Sequence, residues 1–142
     1  MILQSLMIRM ALLAAQGETT FTVEYNSTRY EYHITDQDLQ ATPDWPANQD
    51  NPPLSARSAI DIASKEIAAL LPNGKDWRLY EVTLRPIEDR WVYLVQFLEP
   101  LRGNGGGQQL SSGFEIVVLM NGVAVMPRIS KLFVREIGRA HV

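Results

Sequence analysis

Cysteine is absent from this chain of 142 residues. That absence excludes a disulfide framework, thiolate zinc sites, iron–sulfur clusters and a thiol nucleophile. Histidine is scarce, with two residues, His33 and His141. Basic charge is not in excess either: 13 Lys and Arg face 16 Asp and Glu, for a net charge of -3. That balance argues against a nucleic-acid partner held through phosphate contacts. No stretch approaches the roughly 18 apolar residues of a membrane span, so no transmembrane segment is expected. What remains is an ordinary globular composition, 46% hydrophobic and 20% charged, of a length that suits one domain.

The two ends read differently from the middle. Residues 1–16 are largely apolar but interrupted by Gln4, Ser5 and Arg9. They fit either a short signal peptide or an N-terminal helix with Leu3, Leu6, Met7, Met10 and Leu13 on one face. Export and a cytoplasmic location both stay open. At the other end, Ile137-Gly138-Arg139-Ala140-His141-Val142 resembles a translated sequencing adapter, ATC GGA AGA GCA CAC GTC followed by the stop TGA. Residues 136–142 are therefore set aside as an adapter-derived artefact, and His33 becomes the only histidine to consider. A single α+β domain is expected over residues 17–135.

Within it, residues 20–25 and 29–35 alternate apolar and polar around Asn26-Ser27, which predicts a hairpin over 20–35. Residues 36–53 hold four Pro and four Asp and predict an acidic loop. Residues 18–61 carry eight acids and two bases, whereas residues 62–142 carry ten bases and eight acids. A helix is predicted over 55–71. Ser55 suits its N-cap, Ala56, Ala59, Ile60, Ala63, Ile67, Leu70 and Leu71 recur at helical spacing, and Pro72 ends it. Strands are predicted over 77–126, with turns at Ile87-Glu88-Asp89 and at Asn121-Gly122. The expected fold is α+β, one main helix packed on an antiparallel sheet of about four to six strands. Residues 114–120 are apolar on both faces, as in a central strand or one that meets a partner.

Three segments carry a family resemblance: Leu54-Ser55-Ala56-Arg57-Ser58-Ala59-Ile60-Asp61-Ile62-Ala63, Trp91-Val92-Tyr93-Leu94-Val95, and Glu115 through Val125 with its Asn121-Gly122 turn. Together they resemble the PepSY-like domains, small exported modules grouped with the cystatin-like folds, over residues 54–126. That family usually has Asp before its final turn, where this chain has Leu119-Met120. The resemblance implies a non-catalytic module, sometimes linked to peptidase regulation or envelope binding. It carries over no catalytic residue.

Few constellations point to chemistry. Gly103-Asn104-Gly105-Gly106-Gly107 leads into a strand and is followed by no Lys-Ser/Thr pair, so it reads as a loop rather than a phosphate cradle. Asp36, Asp38, Asp44 and Asp50 lack calcium-loop spacing, and one histidine without cysteine makes no metal site. Glu88-Asp89 is turn chemistry, and Asn26-Ser27-Thr28 matters as a glycan acceptor only in a eukaryotic secretory route. His33 is the sole catalytic candidate, a general base that would need partners from elsewhere in the chain. No cofactor is expected. The leading expectation is a non-catalytic module acting by protein or ligand contact, with Trp91, Tyr93, Phe114, Ile116 and Val118 as the candidate interaction surface. Two alternatives stand beside it: a small cone-shaped enzyme of nuclear-transport-factor-like type built around His33, and a homo-oligomeric subunit joined through residues 114–120.

Overall fold

The structure, a computed structural model, describes residues 17–101 and 112–132. The expectations for residues 1–16, the glycine-rich loop and residues 136–142 lie outside the described residues. Six strands and two helices follow in order: β1 (Thr19–Tyr25), β2 (Thr28–Ile34), α1 (Asp36–Gln40), α2 (Ala56–Leu70), β3 (Arg78–Ile87), β4 (Arg90–Leu98), β5 (Gly113–Leu119) and β6 (Arg128–Lys131), with a 3-10 turn at Gly74–Asp76. The fold is α+β, as the hydrophobic pattern implies. Its strands form two antiparallel sheets, ordered β1-β2-β6 and β3-β4-β5, rather than one.

α2 forms where its signals lie. The Ser55 hydroxyl accepts a hydrogen bond from the Ser58 N–H, and Ala59, Ala63 and Ile67 are buried. Two small residues in that stripe let the helix sit close to a sheet. Beyond its end, Gly74 lies so near the last turn that a Cβ would come within 1.8 Å of the Ile67 carbonyl oxygen. Only glycine fits there.

The helix covers the face of the β3-β4-β5 sheet that carries Tyr93, Val95, Phe97, Phe114, Ile116 and Val118. The opposite face, with Val92, Leu94, Val117 and Leu119, packs against Tyr32, Ile34 and Leu39. The layers are thus helix, sheet and second sheet, and the strand that looked apolar on both faces meets its partner within the chain. Tyr30 joins the α2-side core and meets Phe114 edge to face, with ring centroids 4.9 Å apart.

The two sheets do not join along the outer edge of β5. Its outward groups are taken by the returning chain, Val125 N–H to Val117 O and Leu119 N–H to Val123 O. The next outward carbonyl, Glu115 O, accepts the Tyr32 hydroxyl at 2.7 Å. With these groups engaged, the outer edge of β5 is partly occupied by the chain itself. The expected strand at 123–126 is accordingly reduced to a single bridge, Val118 to Ala124, after a turn in which Gly122 adopts φ +83°. β6 was not expected; it pairs with β2 from Glu31↔Arg128 to Thr28↔Lys131. The acidic loop likewise begins with an unexpected helix, α1. Thr35 and Asp38 form a reciprocal capping box there, and Leu39 is buried.

Candidate binding cleft

Trp91 stands near the start of β4, opposite Pro86 of β3. Its side of the sheet is the one that α2 covers, yet α2 does not seal it. The proline-rich segment after α1 comes there instead and sets Trp45 against Trp91, ring centroids 5.2 Å apart and planes at 66°. Between them opens a cleft of about 260 Å³ lined by Trp45, Pro46, Ala47, Gln49 and Trp91. Two indole walls in a corner and a single polar lining side chain suit an apolar group inserted from outside.

Three bonds tie the cleft-forming segment in place. The Trp45 Nε1–H donates to the Gln49 carbonyl at 2.9 Å and closes the segment on itself. Arg90, beside Trp91, forms an ion pair with Asp44, beside Trp45. Further along, the Tyr93 hydroxyl donates to the Leu54 carbonyl. Burial of that hydroxyl raises its pKa above the ordinary phenol value. The cleft is therefore pre-formed, which spares a ligand the ordering of its loop.

The other candidate residues fall elsewhere. Tyr93, Phe114, Ile116 and Val118 are fully buried in the core under α2. Their alternation marked an apolar face correctly, but the cover is the chain's own helix, so the expected interaction surface contracts to Trp91. The signal that could have added Trp45 is a large aromatic in a proline-rich stretch with few aliphatics, where it has no local core to join.

His33 lies on β2 between the inward-facing Tyr32 and Ile34 and so points away from the core. Its Nδ1 is 2.8 Å from a Glu18 carboxylate oxygen and its Nε2 3.1 Å from one of Glu31. Arg29 continues this polar row by pairing with Glu24 at 3.1 Å. Both ring nitrogens are held by carboxylates. His33 sits in the outer polar row of the β1-β2-β6 sheet, while Trp91 belongs to the other sheet, so the two candidates do not converge. Among the described residues no cluster of three His, Asp or Glu has metal-binding geometry, and no helix is long and apolar enough to cross a membrane.

No family model, curated protein or solved structure matches this chain.

Proposed function

We propose that this protein is a non-catalytic binding module that takes an apolar side chain of a protein partner into the Trp45–Trp91 cleft. The observation that carries this reading is the open indole corner, anchored by the Arg90–Asp44 ion pair. Half-buried aromatic rings lining a pre-formed concavity are the residue type that dominates recognition energetics. The resemblance of residues 54–126 to PepSY-like domains would imply the same, a role in contact rather than turnover. The small-enzyme alternative loses ground because His33 is engaged by two glutamates on another sheet.

The test is a peptide array of apolar and proline-rich sequences, followed by nuclear magnetic resonance of the three indole N–H groups. Binding is expected to move the Trp45 and Trp91 signals and leave that of core-buried Trp77 in place. Trp91→Ala should abolish it. Hits that ignore Trp91→Ala would refute the cleft as the site, and robust turnover of a substrate would refute the module.

A further inference from the structure

β3 is an edge strand with little cover. It ends the β3-β4-β5 sheet, so among the described residues a strand pairs with it on one side only. Most of its residues are exposed, Tyr80 to 62%. A two-residue turn joins Ile87 to Arg90, which makes them a hydrogen-bonded pair and sets the alternation along the whole hairpin. Arg85, Thr83 and Glu81 therefore direct their backbone groups at β4. Val82 and Leu84 direct theirs outward, and Pro86, which has no N–H, falls on the outward side where none is missed. Two interruptions bound this open edge, the irregularity between Leu79 and Glu81 and the proline at 86. The usable window is residues 81–85.

That window is complementary to itself. A second copy laid antiparallel, with Thr83 on the two-fold axis, sets Val82 opposite Leu84 of the partner subunit. Those are the outward-directed residues, so each such pair exchanges two backbone hydrogen bonds. Glu81 then faces Arg85 of the partner subunit, and Arg85 faces the partner's Glu81. They occupy non-hydrogen-bonded positions, where opposed side chains approach most closely. Neither has an ion-pair partner of its own among the described residues; Arg85 lies over the Phe21 ring, 5.5 Å from its centroid. On the other side of the strand, half-buried Val82 and Leu84 at the rim of the α2 core would be covered by the same two residues of the copy. Shifting the register by two residues in either direction brings Glu81 and Arg85 out of opposition. The geometry points to a reversible homodimer joined through β3, with Thr83 on its axis and two Glu81–Arg85 pairs fixing the register.

Sedimentation velocity from micromolar to millimolar concentration tests this. The natural chain should pass from monomer to dimer. Glu81→Arg sets like charges against each other twice and should weaken association by at least about tenfold. The double variant E81R/R85E should restore it, because the pairs re-form with their signs exchanged. Thr83→Lys places two ammonium groups face to face at the axis and should also leave monomer, while circular dichroism verifies folding. A monomer at every concentration overturns the proposal. So does a dimer indifferent to Glu81→Arg, or a folded double variant that fails to recover association.

Discussion

Two aromatic clusters of this protein use the same residue types to opposite ends. In one, Tyr25, Trp77, Phe114 and Tyr30 meet edge to face at centroid separations of 4.9 to 6.2 Å. They are closed in by α2, and the Trp77 Nε1–H is bonded to the Asn73 side chain. In the other, Trp45 meets Trp91 in the same edge-to-face manner at 5.2 Å, yet a cleft stays open between them. The ring geometry does not distinguish the two. What differs is the cover: the first cluster has a helix above it, the second a loop tied down by two hydrogen bonds and an ion pair. An aromatic pair thus becomes core or site according to what the remaining chain can lay over it.

The comparison breaks if the open cluster proves as necessary to stability as the sealed one. The largest effect expected is from Phe114→Ala, a loss of about 3–5 kcal/mol in urea unfolding, because the vacated space lies between α2 and β5 and cannot collapse. Tyr32→Phe comes next, at about 1–3 kcal/mol in the same experiment, since the Glu115 carbonyl would stay buried without its donor.

Alkaline pH acts on the buried phenols of both cores. Burial raises the pKa of Tyr30, Tyr32 and Tyr93 above the ordinary phenol value of 10.0, and the Glu66 and Glu115 carboxylates push Tyr32 further up. The unfolded chain releases these protons first. The phenols' contribution is therefore whole below pH 10 and is lost as pH rises beyond it. Thermal melts across that range should show the midpoint falling, and Tyr32→Phe should make the fall shallower. The smallest stability effect belongs to Trp45→Ala, about 1 kcal/mol or less, accompanied by loss of peptide binding to the cleft. A Trp45→Ala loss matching that of Phe114→Ala would erase the distinction between the clusters.

The elements legible in the sequence were those whose signals are local. α2 has a capping serine, a helical apolar stripe and a terminating proline within one short stretch. The first hairpin was legible through its alternation and Asn26-Ser27, which take φ of 52° and 56° in the turn. β6 was not, because Arg128, Ile129, Ser130 and Lys131 are all exposed and become a strand only through pairing with β2. Nor was the division into two sheets, whose packing includes the Tyr32 hydroxyl bonded to a carbonyl 83 residues away. The site was half legible. Trp91 was named with four residues of its apolar pattern, but periodicity reports that a face is apolar and not what lies over it. Trp45 belongs to no period at all, and a fold must place it before it has a meaning.

The β1-β2-β6 sheet draws its strands from opposite ends of the described chain. A ribosome delivers β1 and β2 early and β6 late, with roughly ninety residues between them, so at about 5–20 residues per second the hairpin waits several seconds for its third strand. During that interval the β2 edge is open and Tyr32 has no carbonyl to meet, because β5 has not been made either. The nascent chain therefore carries an incomplete sheet until β6 is made. The sheet is completed only when β6, made about ninety residues later, closes the first hairpin.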